Sequence, residues 1–204
     1  MKIDRVREIL SRARTKRVLV AGDLMLDEFL WGDVTRISPE APVPVVRVTG
    51  ESWYPGGAAN VARNVREFAA WTGVLGSCGQ DPSGDRLLSV LEQSGIDASP
   101  VVRSATLSTV VKTRIIAKHQ QVVRVDRESS NPNEPAAPSA ELQQRIDRLV
   151  RSADGIIFSD YAKGFLSQSV VDAISQTAAT CGKIVTVDPS PLNPVRWAGA
   201  TAIK

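Results

Sequence analysis

Three apolar runs constrain this chain most: Arg17-Val-Leu-Val-Ala-Gly-Asp23, Gly155-Ile-Ile-Phe-Ser-Asp160 and Lys183-Ile-Val-Thr-Val-Asp188. A strand that is apolar at nearly every position must be covered on both faces, and parallel sheets achieve this with helices on each side. A helix is predicted around Ser169 to Thr180, between the second and third runs, so strand, helix and strand follow one another as in a parallel α/β sheet. Ligands of open parallel sheets gather at the carboxyl ends of the strands. That rule makes Asp23 a site candidate, and with it Asp160 and Lys163 in the segment after the second run.

The stretch Pro55-Gly-Gly-Ala-Ala-Asn-Val-Ala-Arg-Asn64 adds a second constraint. Gly56 and Gly57 have no Cβ, so the chain can take positive φ there and a ligand can approach bare backbone. The helix that follows presents unpaired N–H donors at its first turn. Asn60 lies one turn on, with an amide that both donates and accepts toward a hydroxylated ligand.

Between these landmarks the alternation of strand and helix continues. Residues 57 to 70 are predicted helical, Gly73 to Cys78 strand-like, and Gly84 to Gln93 helical with Leu87, Leu88 and Leu91 on one face. Val43 to Val48 is rich in β-formers but broken by Pro44, which suits an edge strand or a small lid. Thr109 to Ala117 and Gln121 to Asp126 flank Lys118-His-Gln as a hairpin able to complete that lid. Asn131 to Ser139 is a proline-rich connector with Ser139 as the N-cap of a helix from Ala140. Ile3, Val6, Ile9 and Leu10 recur at helical spacing, predicting a short amphipathic helix packed on the body.

Composition narrows the class of function. The 204 residues are 43% apolar and 23% charged, enough for one domain with a real core. The 25 basic residues are scattered among 22 acidic ones, so a pI near 9.1 marks no nucleic-acid stripe, while a phosphorylated small molecule suits the balance. Cys78 and Cys181 have no Cys-X-X-Cys spacing and there is one histidine, so neither a disulfide framework nor a zinc site is indicated; both thiols are expected in the core. No apolar stretch is long enough for a membrane span and no signal-peptide core follows the basic N-terminus, so a cytoplasmic enzyme is expected. A dinucleotide-binding domain is disfavoured, since no Gly-X-Gly-X-X-Gly follows the first strand.

The run Gly32-Asp-Val-Thr-Arg-Ile-Ser-Pro-Glu-Ala-Pro-Val-Pro-Val-Val46, with Pro55 to Asn64, Gly79-Gln-Asp-Pro-Ser-Gly84, Lys112-Thr-Arg, Arg124-Val-Asp-Arg-Glu128 and Ser159-Asp-Tyr-Ala-Lys-Gly164, resembles sugar kinases of the ribokinase (PfkB-like) family. Within that family it is most similar to the D-glycero-β-D-manno-heptose-7-phosphate kinases, found alone or as the first domain of a bifunctional protein. The resemblance implies a ribokinase-like three-layer α/β/α sandwich with a small β lid from about 33–48 and 108–127. Residues 1–204 would then be the N-terminal part of one carbohydrate kinase domain. It further implies ATP and Mg²⁺ as cofactors, a sugar phosphate as substrate, and a homodimer formed through the lid. By the same resemblance Asp23, Asp27, Gly56, Gly57 and Asn60 would bind sugar hydroxyls. Arg36, Lys112 and Arg114 would put cations on the lid, where one can meet the phosphate already on the sugar, and Asp160 and Lys163 would lie beside the cleft. Asp188 would stand on the nucleotide side.

Two departures from the family pattern stand out. The signature Gly-Ala-Gly-Asp that carries the catalytic aspartate at a helix start is absent, so the chain alone is expected to be nearly inactive. Asp188-Pro-Ser-Pro replaces the lysine and glycine usual after Asp-Pro in heptose kinases. Besides the heptose kinase, another ribokinase-like sugar kinase and a non-catalytic sugar-binding or dimerising fragment also fit the sequence.

Overall fold

Five parallel strands build the body of the protein in this computed structural model, which describes residues 3–128 and 138–204. The chain opens with α1 (Ile3–Ala13), β1 (Arg17–Gly22), β2 (Leu24–Ile37), β3 (Pro44–Gly57) and α2 (Ala58–Arg66). It continues through β4 (Trp71–Leu75), β5 (Ser77–Gly79), α3 (Pro82–Gln93), β6 (Val102–Ser104), β7 (Val111–Ala117) and β8 (Gln120–Arg127). After α4 (Ala140–Ser152) come β9 (Gly155–Ser159), α5 (Gln168–Thr180), β10 (Ile184–Asp188) and β11 (Ala202–Ile203).

The body sheet runs β11-β10-β9-β1-β4. Alternation along each strand sends side chains to two separate cores. Leu19, Ala21, Ile156 and Phe158 pack with Ile146, Val150, Val170 and Ile174 of α4 and α5. Val20 and Val74 pack on the other side with Ala58, Ala59 and Ala62 of α2 and Leu87 and Leu91 of α3. Three layers result, as expected for strands apolar on both faces. The three alanines let α2 lie close to the sheet, which brings its N-terminus to the strand ends.

A second, four-stranded sheet of order β3-β2-β7-β8 forms the lid. Most of the segments near 33–48 and 108–127 falls within it, residues 38–43 and 108–110 lying outside the strands, and β2 and β3 extend beyond the expected bounds to Leu24 and Gly57. β3 is an edge, so Pro44 and Pro55 can lack an amide hydrogen without breaking a ladder. β7 and β8 are antiparallel and joined by Lys118 and His119, whose φ values of 48° and 71° give the left-handed two-residue turn that matches strand twist. The lid is clamped to the body by Trp53, which donates to Glu28 Oε1 at 3.2 Å and carries the Arg86 guanidinium of α3 4.2 Å above its ring.

Three expectations change. Residues 73–78 do not form one strand: β4 ends at Leu75 and β5 leaves at Ser77 to pair with β6. Helix α1 does not pack on the body, for it buries no residue and leaves Ile3 66% exposed. Cys78 is buried, but Cys181 caps α5 near the surface, with Arg151 donating toward its Sγ at 3.7 Å. Ser139 does cap α4, its side chain accepting from Leu142 N. The connector between 129 and 137 lies outside the described residues.

Candidate functional site

Register aligns the ends of three body strands. Gly22 pairs with Ser159 and Ser159 with Asp188, so β1, β9 and β10 finish on one rim and Asp23 and Asp160 stand just beyond it. Asp23 is 2% exposed, and its carboxylate accepts from the backbone N–H of Tyr161 at 2.9 Å, Lys163 at 3.1 Å and Phe165 at 3.0 Å. Burial pushes its carboxyl up from the ordinary range, against the pull of those three donors. Asp160 accepts from Ala162 N and Ser190 N and from the side chain of Asn193, which also donates to Leu166 O. The two aspartates thus hold the loop 161–165, including Ala162 at φ 53° and Gly164 at φ 99°. They are occupied by the protein's own backbone; Asn193, which helps hold the loop, gave no signal in sequence.

The lid supplies the more open chemistry. Pairing across its four strands places Tyr54, Asp27, Lys112 and Asp126 in one transverse row, with Ser52, Phe29, Arg114 and Arg124 in the next row on the same face. Arg114 Nη1 donates to Asp27 Oδ1 at 2.6 Å, both side chains being about one-fifth exposed. A Cβ on Gly56 would fall 2.9 Å from Asp27 Oδ2, so the absent side chain leaves this second oxygen its room. Gly57 has φ 56° and starts α2 with no side-chain cap, its neighbour's N–H going to Asp23 O. Asn60, on the first turn of α2, is exposed. The result is a corner of one carboxylate held by an arginine, bare glycine backbone and a helix N-terminus.

Lys112 and Lys163 meet near this corner, on Glu128. Lys112 Nζ lies 3.0 Å from Asp126 Oδ2 and 2.9 Å from Glu128 Oε1, and Lys163 Nζ lies 2.7 Å from Glu128 Oε2. Lys163 and then Lys112 hold the Glu128 carboxyl below its ordinary value; Arg124 and Lys112 do the same for Asp126. Glu128 closes the Arg-X-Asp-X-Glu alternation seen in sequence, which was legible as a motif but not as a bridge.

Other candidates stand apart. Arg36 is exposed, opposite Val45, nine residues along β2 from Asp27 and so up to roughly 30 Å away. Asp188 ends β10 beside Lys204 Nζ at 3.4 Å and lines a cleft of about 370 Å³ with Val61, Ser159 and Thr186. The Ser159 hydroxyl there is buried without a hydrogen-bond partner. A larger cavity of about 430 Å³, unforeseen in sequence, opens between the Asp23–Leu24 turn, Cys78, Ser104 to Val110, Leu142 and the 162–165 loop. Among the described residues, no three histidine, cysteine, aspartate or glutamate side chains group to hold a metal. None of the described helices is long and apolar enough to cross a membrane.

Residues 15–199 match the model of the pfkB family of carbohydrate kinases. The chain belongs to this family. A protein named Bifunctional protein HldE from Magnetococcus marinus is 46% identical over 195 residues, which are 92% of this chain and 39% of that protein. The protein of the same name from Caulobacter vibrioides is 44% identical over 190 residues, 93% of this chain and 38% of its own length. The chain therefore spans about two-fifths of these relatives. Among solved structures, a putative ribokinase from Agrobacterium tumefaciens superposes with a TM-score of 0.64 at 19% identity, over 85% of this chain and 52% of that one. Ribokinase from Arabidopsis thaliana, solved with ribose and ATP, gives a TM-score of 0.61 at 15% identity, over 85% and 53%. At such identities the likeness establishes the ribokinase-like fold alone.

Proposed function

We propose that this pfkB-family chain forms the sugar side of an ATP-dependent kinase that converts D-glycero-D-manno-heptose 7-phosphate to the 1,7-bisphosphate. The corner made by Asp27, Arg114, Gly56 and the start of α2 carries the assignment. Such a corner accepts hydrogen bonds from sugar hydroxyls at Asp27 and donates from Asn60 and the first turn of the helix. Lys112, beside Asp27 in the lid, and Lys163, which shares Glu128 with it, suit the phosphate the sugar already bears. Kinship to the HldE proteins, 46% and 44% identical in the two cases above, favours the heptose over other sugars.

Phosphoryl transfer also needs a base near the acceptor hydroxyl and donors on the transferring group. Neither a Gly-Ala-Gly-Asp helix start nor a cluster of metal-binding side chains is found among the described residues, so ATP and Mg²⁺ are assigned to the kinase as a whole. Transfer by the 204 residues alone is expected to be negligible, while binding of the sugar phosphate persists. The lid, with Val43, Val48, Val122, Val123 and Val125 exposed, is proposed to pair with the lid of a second copy. Calorimetry with heptose 7-phosphate, alongside ATP turnover by this chain and by one extended to the length of the relatives, tests the assignment. Equal affinity for heptose 7-phosphate and fructose 6-phosphate would refute the substrate.

A further inference from the structure

Glu128 bridges two lysines that come from different parts of the fold. Lys112 projects from β7, in the interior of the lid sheet, and reaches Oε1 at 2.9 Å; Lys163 projects from the loop after β9 and reaches Oε2 at 2.7 Å. Both lysines stand on fixed backbone, the first in a ladder with β2 and β8, the second by its own N–H to Asp23. Glu128 lies just past Arg127, the last residue of β8, so its backbone has no partner in the ladder. The cations project from backbone held by the fold, and the carboxylate between them comes from the residue just beyond the ladder.

One oxygen on each of two ammonium groups is also how a phosphate would sit, and a phosphate brings up to twice the charge and three acceptor oxygens. The three side chains are 16%, 27% and 31% exposed, screened from bulk water yet reachable. Lys163 and Glu128 also line the cavity of about 430 Å³, which gives an approach. Lys112 is the register neighbour of Asp27, one strand away at roughly 5 Å.

We propose that Lys112 and Lys163 form the seat for the phosphate of the sugar phosphate, and that Glu128 is an internal carboxylate that holds this seat until the phosphate displaces it. The proposal rests on the sugar-phosphate assignment above. A neutral sugar cannot displace Glu128, so the bridge would select phosphorylated over plain sugars, and lid and body stay tied in both states.

The test is titration of the chain with inorganic phosphate at constant ionic strength, followed by ³¹P NMR, with near-ultraviolet circular dichroism to verify folding. Glu128→Gln removes the charge shared by both lysines, leaving Asp126 on Lys112 at 3.0 Å, and should bind phosphate about tenfold more tightly than the wild type, the scale of one charged hydrogen bond. Glu128→Asp, too short to span both lysines, should move in the same direction, while Lys112→Ala and Lys163→Ala should each weaken binding about tenfold or more. Phosphate affinity unchanged or lowered in both Glu128 variants overturns the seat. Tighter phosphate binding by Glu128→Gln, together with no binding of heptose 7-phosphate by any variant, would refute the substrate and leave the seat standing.

Discussion

Replacing Asp23 by alanine should unfasten the 161–165 loop. The substitution strips the acceptor from three backbone donors, Tyr161 N and Lys163 N in half-buried surroundings and Phe165 N fully buried. An unpaired buried donor costs about 1–3 kcal/mol, and the half-buried pair less, since water can reach them. Against that loss stands relief from burying a carboxylate, the dominant influence on the Asp23 carboxyl. The net should be about 3 kcal/mol, which for a domain of this size lowers the melting temperature by roughly 6–12 °C. Asp23→Asn keeps one oxygen for two of the donors and turns its NH₂ toward the third, so it should fall between wild type and Asp23→Ala. Denaturant melts give the order, and amide exchange should show faster exchange at Tyr161, Lys163 and Phe165. An Asp23→Ala protein within about 0.5 kcal/mol of wild type, with these amides still protected, would refute the loop-holding role.

Gly57→Ala should destabilise by at least about 2 kcal/mol in urea melts, because φ 56° is strained for alanine and its Cβ would fall 2.6 Å from the rigid Asp23 carbonyl oxygen. Gly56→Ala should also destabilise, as its Cβ would fall 2.8 Å from the buried Met25 Cγ and 2.9 Å from Asp27 Oδ2, and should weaken sugar-phosphate binding measured by calorimetry. Arg114→Met, which frees Asp27, should reduce affinity for heptose 7-phosphate about tenfold with little change in melting temperature. Acid should loosen the lid: Glu128 and Asp126 titrate below their ordinary values of 4.5 and 3.8 when folded, so their contribution is complete above those values and lost as pH falls through the lowered ones. The protection of β8 amides relative to their intrinsic exchange rates should fall between pH 5 and pH 3 in the wild type and less so in Glu128→Gln.

Continuous apolar runs and the strand–helix order made the body legible in sequence, because burial on both faces leaves that pattern and few others. The lid was legible only in part. Leu24 to Gly32 mixes Asp27, Glu28, Phe29 and Trp31, a composition that makes sense only once one face carries the site row and the other packs Trp53 on α3. Gly56 and Gly57 could be singled out because bare backbone before a helix is a local fact, whereas Asp27 came only from the resemblance to the family. The work of Asp23 could not, since its partners are main-chain amides about 140 residues further on. Glu128 was hidden for the same reason: its lysines come from the lid and from the body. Helix α1 shows the converse error, an amphipathic period with no surface of the described chain to receive it.

The seam between β2 and β7 has a consequence for how the chain is made. Glu28 meets Thr113 across 85 residues and Asp27 meets Arg114 across 87, so the two halves of the lid can join only after the chain between them has been made. Closing so long a loop is slow, and until it closes the β2–β3 hairpin has one unpaired edge where β7 belongs. On the ribosome that edge waits while the next 54 residues are synthesised, from Gly57 to Val111, several seconds at ordinary rates of about 5–20 residues per second. The open edge of β2 is therefore the place where a delayed chain would pair with the wrong neighbour.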